Sequence, residues 1–318
     1  MLLVNSLFSW SDAPTQLRHA GWNGMHLADM AFPWFLLCVG VAVPLSAASA
    51  ARRGVDNRVY ALRIARRVLI LLALGALLDT VGDGRLTLFS VGVLQTIALA
   101  YAVGVLLYGL RPNARLIVAA ALLLAYWAAI RFIPAPGMEA GSFEGDRNLI
   151  LHLNRNYLGQ LGLWNVTRLI PTSALVLIGT AIGDMVGRVD LDKLRKGIRL
   201  IKFGLAMVVL GYLWSLDLPF NKWMWTPAYI LFSAGTGALA LGIFDLVIDV
   251  AGFRAWAFPL IVFGSNAILA YVLPIISKSL ILKPLHIFIH GWVGVIPFIV
   301  FWWLALWLLY RCKLFLRV

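Results

Sequence analysis

The chain has 318 residues, 62% of them hydrophobic and 13% charged, with a mean hydropathy of +0.88. A single water-soluble core of this size cannot hide that much apolar surface, so the composition excludes an ordinary soluble domain and predicts an all-α, polytopic integral membrane protein. The net charge of +13 raises nucleic acid as a partner, but the placement of the basic residues argues for membrane topology instead.

Runs approaching the ~20 residues that cross a bilayer as a helix fall at 27–50, 67–81, 88–110, 114–133, 168–186, 198–216, 227–249, 256–277 and 292–310. A tenth, 1–10, has only half the required length, so the expectation is about ten transmembrane helices with the first incomplete. No repeat, heptad pattern or long linker divides the chain, and 1–318 reads as one membrane domain. The larger polar interruptions are 10–26 and 134–167 on one side and 51–66 and 187–197 on the other. The second of these, rich in Pro and Gly at its start, is expected to carry a short surface helix further on.

If the loop at 51–66 is cytoplasmic, alternation places 18 of the 27 Lys and Arg residues inside, Arg52, Arg53, Arg58 and Arg317 among them. Arg18, Arg85, Arg168 and Lys222 fall outside. This bias fixes the orientation and puts the C-terminus in the cytoplasm. Cys38 lies within a span and Cys312 at an inner end, which makes a disulfide between them improbable. The start lacks the basic n-region and cleavage site of a signal peptide.

Reactive polarity gathers at the outer end of the first full span, in "RHAGWNGMHLADMAFPW". If that approach is helical, Trp22, Asn23 and His26 share a face with His19. The plain reading is an interfacial Trp beside a solvated His, with Asp29 as the N-cap of the helix. Gln95 and Asn266 fall near the middle of their spans, where helix-to-helix hydrogen bonds are the plain reading and a polar pore the competing one. Arg63, Arg66 and Arg67 read as topology determinants in contact with anionic lipid, or as a clamp for a phosphorylated co-substrate. The sequence has no P-loop, GxGxxG, HExxH or paired CxxC, so nucleotide hydrolysis and a structural zinc site have no support, and no metal is expected.

Taken together these segments resemble the heparan-α-glucosaminide N-acetyltransferase family of transmembrane acyltransferases. The matching residues are His19-Ala20-Gly21-Trp22-Asn23-Gly24, Ala28-Asp29 with Phe32-Pro33-Trp34-Phe35, and Gly92-Val93-Leu94-Gln95. Pro219-Phe220-Asn221-Lys222 with Trp225, then Asn266 with Tyr271, continue it in the same order. The resemblance implies transfer of an acetyl group from cytoplasmic acetyl-CoA to an amino or hydroxyl group of an extracytoplasmic sugar or glycan. It also implies a homodimer, and His19 and Asn5, in "LLVNS", as the matches to the family's reactive centre.

The chemistry suits those residue types. A nucleophile attacking a thioester must lose a proton, which an imidazole with an ordinary pKa near 6.5 accepts at neutral pH. Direct transfer and an acetyl-His intermediate both remain open. The Asn5 amide is the first choice as donor to the developing oxyanion, with Trp22 or Asn23 in support. Arg63, Arg66 and Arg67 would hold the phosphates of coenzyme A, and Gln95 and Asn266 would line the path of its pantetheine arm. Three departures stand out: the short first helix, Thr96 where many relatives carry Arg, and Arg168 near a position where relatives tend to be acidic. The last of these suggests an anionic acceptor. A compact chain of this kind suggests a bacterial inner membrane. The rival readings are a transporter or permease and a catalytically inactive relative.

Overall fold

The centre of the molecule is a helix without a polar face. From Pro171 to Gly183 every residue of α7 (Leu169–Gly187) is buried, the pattern of a helix surrounded by others. The computed structural model describes residues 1–316 apart from Phe8, Ser9, Ser11, Arg85, Leu88, Phe89, Val189, Leu191 and Phe288. Arg85, Arg317 and the start of the 88–110 run at Leu88, used above, lie outside the described residues.

Before α7 in the chain come α1 (Leu2–Leu7), α2 (Leu27–Arg52), α3 (Asn57–Asp83), α4 (Val93–Leu106), α5 (Pro112–Phe132) and a single turn, α6 (Leu149–Leu153), in the long loop. After it come α8 (Lys193–Ser215), α9 (Pro227–Phe244), α10 (Phe258–Ser265), α11 (Ala267–Ser277) and α12 (Gly291–Arg311). Among the described residues there is no strand, and the chain is all-α. Among the described residues six helices, α2, α5, α7, α8, α9 and α12, are long and apolar enough to cross a membrane. A seventh span is formed if α10 and α11, bent by 67° at their junction, are counted as one. Leu205, Val209 and Leu213 on α8 and Val293, Val300 and Phe301 on α12 are exposed. Apolar faces of this kind are stable only against lipid.

Small residues let the central helices touch backbone to backbone. A methyl group at Gly40 of α2 would strike the Val176 carbonyl of α7, and one at Gly179 would meet the Leu37 carbonyl at 2.5 Å. Gly204 and Gly235 bring α8 and α9 together in the same manner. In lipid, where tails are as apolar as leucine, such packing replaces the hydrophobic drive that holds soluble bundles together.

Two expected segments differ in outline. The helix expected at 67–81 begins ten residues earlier, at Asn57, with Asp56 accepting from the Arg58 amide at 2.8 Å as its N-cap. Arginine, leucine and alanine are strong helix formers, so the basic stretch is helical although it is too polar to read as span. The run 256–277 is broken at Asn266, a buried residue between α10 and α11. Its amide donates to the Leu314 carbonyl at 3.0 Å and accepts from the Leu316 amide at 2.9 Å, so it satisfies the chain tail instead of a helical turn.

Candidate active site

The approach to α2 is not helical. Residues 18–26 run as coil, and Gly24 takes φ = 93°, a left-handed value that favours glycine. Gly24 donates its amide to the Phe220 carbonyl at 2.8 Å, which pairs this coil with the loop between α8 and α9. The shared helical face expected for His19, Trp22, Asn23 and His26 therefore does not form. His26, not Asp29, is the N-cap of α2, and Asp29 sits at N3.

Asp29 organises the coil from that position. Its side chain is fully buried. One oxygen, Oδ2, accepts from the backbone amides of Ala20 at 3.1 Å and His26 at 2.9 Å. The other, Oδ1, lies 2.8 Å from His19 Nδ1 and 3.3 Å from Lys222 Nζ. The Tyr229 hydroxyl donates to the Asp29 carbonyl at 2.6 Å and fixes the start of α2 to α9.

Lys222 Nζ also lies 2.8 Å from His19 Nδ1. A ring nitrogen serves one of these partners at a time. With its proton on Nδ1, His19 donates to Asp29; with its proton on Nε2, it accepts from Lys222 at Nδ1. Burial lowers the Lys222 ammonium pKa below its ordinary value; Asp29 opposes this and the nearby Arg168 charge adds to it. The His19 side chain keeps 27% exposure, so an incoming group can reach it.

The supporting loop is itself locked. Asn221 is fully buried, donates to the Trp22 carbonyl at 2.6 Å and accepts from the Met224 amide at 2.8 Å. Trp223 Nε1 donates to the Gly21 carbonyl at 3.2 Å.

Two cavities flank the N-terminal end of α4, and Val93 lines both. The larger, about 560 Å³, lies among α2, α3, α4, α10 and α11, with Trp34, Phe35, Cys38 and Tyr271 in its walls and Arg67 as its basic residue. The smaller, about 190 Å³, is lined by Lys222, Arg168, Trp223, Trp225, Asn165 and Thr96 among others.

The remaining sequence candidates are distributed around this frame. Asn5, exposed on α1, lines a small recess with Ser6 and Lys278, and its carbonyl accepts from Lys278 at 2.8 Å. That recess shares Leu2, Ala270 and Tyr271 with the large cavity. Trp22 Nε1 is committed to the Phe143 carbonyl at 2.8 Å, and Asn23 is exposed. Of the three arginines on α3, Arg67 lines the large cavity and stacks its guanidinium 5.0 Å from the Tyr101 ring, while Arg63 and Arg66 are exposed. Gln95 is buried and donates to Asp79 at 2.7 Å; neither it nor Asn266 lines the cavity.

Lys222, Asn221 and Tyr229 escaped selection from the sequence. Lys222 and Asn221 sit in a quoted stretch, but Lys222 is 203 residues from His19 and no periodicity links the two.

A family model described as "Heparan-alpha-glucosaminide N-acetyltransferase, catalytic" matches residues 3–216. The chain belongs to this family. The heparan-alpha-glucosaminide N-acetyltransferases of Homo sapiens and Mus musculus are 36% and 33% identical to it over 61 residues. Those stretches cover 19% of this chain and 9% of each relative's length. The chain is thus a member of an acetyltransferase family and carries several membrane-length apolar helices. The matched range includes His19 and Asp29 but ends before Lys222.

Proposed function

We propose that the chain moves an acetyl group from acetyl-CoA, entering from the cytoplasmic side, to an amino or hydroxyl group of an extracytoplasmic sugar or glycan. His19 is the general base. The observation that carries this reading is the contact of His19 Nδ1 with buried Asp29 at 2.8 Å; His19 itself lines neither cavity, but Lys222, 2.8 Å from its Nδ1, lines the smaller one. A carboxylate on one ring nitrogen orients the imidazole and steadies the charge that develops when the ring takes a proton.

The acceptor attacks the thioester carbonyl; a carbon–nitrogen or carbon–oxygen bond forms, the carbon–sulfur bond breaks, and the proton passes to His19 Nε2 and then to the departing thiolate. Lys222 and Asn5 are the charge-stabilising groups, Lys222 from the acceptor side and Asn5 from the recess bordering the large cavity. Arg67 is the best placed of the three arginines to meet a phosphate of coenzyme A, and the apolar cavity above it suits the pantetheine arm.

The membrane domain then has about ten transmembrane helices with the first, α1, incomplete, counting α3 and α4 with the six long helices and the bent pair. The location is a bacterial inner membrane with the C-terminus inside, and the assembly a homodimer.

Purified chain supplied with radiolabelled acetyl-CoA and a panel of amino sugars should transfer label to an acceptor. His19→Ala should lose at least ~10²-fold of that rate. Full activity in His19→Ala rejects the proposal.

A further inference from the structure

The smaller cavity carries an unbalanced charge. Lys222 and Arg168 both line it, and among the described residues neither Asp nor Glu does. Lys222 has Asp29 at 3.3 Å, whereas among the described residues no carboxylate lies within salt-bridge distance of Arg168. Arg168 is instead held in place by donating Nε to the Trp223 carbonyl at 3.2 Å, which leaves its other guanidinium hydrogens uncommitted to that bond. Gly92 and Val93, at the start of α4, form another wall, so the positive end of that helix dipole adds to the field.

The other walls are aromatic or polar without charge. Trp223, Trp225 and Phe32 supply flat faces, and Asn165 and Thr96 line the same space. At about 190 Å³ the cavity has the room of about six waters at ~30 Å³ each. That is the scale of one ring with a small substituent, not of an extended chain. Aromatic faces beside hydrogen-bonding groups suit a sugar ring, and two cations suit an acid group on it.

We propose that this cavity is an acceptor subsite for a sugar bearing its own carboxylate or phosphate, with Arg168 as the residue that selects for the acid group. The inference rests on the acyl-transfer reading for its word "acceptor", but the binding it asserts does not. Lys222 lines the cavity and its Nζ lies 2.8 Å from His19 Nδ1, so this one ammonium links the subsite to the imidazole, which itself does not line the cavity. Arg168 is here a specificity determinant; it takes no proton and makes no bond to the transferred group.

The test is binding without any acyl donor, so that it stands or falls apart from catalysis. The full chain in phosphatidylcholine nanodiscs is titrated calorimetrically with glucose, glucuronate and glucose 6-phosphate. Both anionic sugars should bind at least ~10-fold more tightly than glucose, and the gap should narrow as salt is raised. Arg168→Gln should bring the three within a few fold of one another, and Arg168→Lys should keep most of the preference. Each variant is first checked for a monodisperse elution profile and a thermal transition. If Arg168→Gln fails that check, the wild-type selectivity and its salt dependence decide.

Equal affinity for glucose and the anions overturns the proposal, as does a preference that survives in folded Arg168→Gln. An anionic lipid headgroup carries the same charge, so the titration is repeated with phosphatidylglycerol in the disc. Loss of sugar-anion binding there assigns the charge pair to lipid and overturns the sugar subsite. Acetyl transfer to neutral sugars alone would leave the acyltransferase reading intact and sink this one.

Discussion

The side-chain amide of Asn221 donates to the backbone carbonyl of Trp22 at 2.6 Å, joining two loops 199 residues apart in the chain. Through that bond the segment carrying Lys222 is held against the segment carrying His19. The meeting of imidazole, carboxylate and ammonium thus depends on a neutral residue that touches none of the chemistry.

Removing that clamp should cost both fold and rate. Asn221→Ala strands the Met224 amide and the Trp22 carbonyl, each buried polar group left alone costing about 1–3 kcal/mol. The expected outcome is a lower thermal transition together with a fall in acetyl transfer greater than the loss of folded protein explains. Thermal unfolding and transfer assays on the same preparation check this.

Asp29→Asn keeps the size of the side chain and removes the charge that orients His19. Acetyl transfer should fall by roughly 10²-fold or more, in kcat rather than in KM for the acceptor. A rate within a few fold of wild type shows that Asp29 only caps α2.

Arg67 is separated from its two neighbours by position. It lines the large cavity, while Arg63 and Arg66 do not. Arg67→Ala should raise the KM for acetyl-CoA by about tenfold, the loss of one charge-assisted contact, and the same change at Arg63 or Arg66 should have a smaller effect. Equal effects at all three would point to a diffuse basic surface.

Lys222 gives the stability of the protein a pH dependence whose sign is fixed. Its folded pKa lies below the ordinary value of 10.5 because burial disfavours the charge, against the pull of Asp29. Between the two values the unfolded chain binds a proton that the folded chain has released, so stability rises with pH there. Below the folded value the full cost of burying the ammonium persists. Wild type should therefore gain on Lys222→Met as pH climbs toward 10.5, measured by thermal unfolding; a gap independent of pH removes Lys222 as its source.

At the α2–α7 contact there is no room for a methyl group at Gly40. Gly40→Ala should destabilise the protein by about 1–3 kcal/mol through overpacking. Gly109→Ala, where an added methyl meets nothing, should stay within about 0.5 kcal/mol of wild type in the same unfolding experiment.

The membrane segments were legible because their signal is local: a span declares itself in about twenty consecutive residues, whatever lies beside it. The boundaries at Asn57 and Asn266 were not. At the first, helix propensity and hydropathy disagree. At the second, a helix breaks to satisfy a tail nearly fifty residues further on, between Asn266 and Leu314. His19 and Asp29 were legible as residues, and the family resemblance assigned His19 its part. The link between them was not, because it needs a coil where helical spacing offered a plausible face.

The sequence by itself determined that this chain lives in a bilayer, which acetyltransferase family it belongs to, and which histidine stands at the end of the first long span. Composition, charge bias and short motifs carry that information without reference to distance. Only the tertiary structure decided that Lys222 joins His19 and Asp29, that Arg67 alone of the three arginines reaches the large cavity, and that Arg168 shares a pocket with Lys222 and, among the described residues, with no carboxylate. Those are matters of which loops and helix faces meet. They are set by glycine-mediated packing and a few buried hydrogen bonds between residues too far apart in the chain for any periodicity to connect.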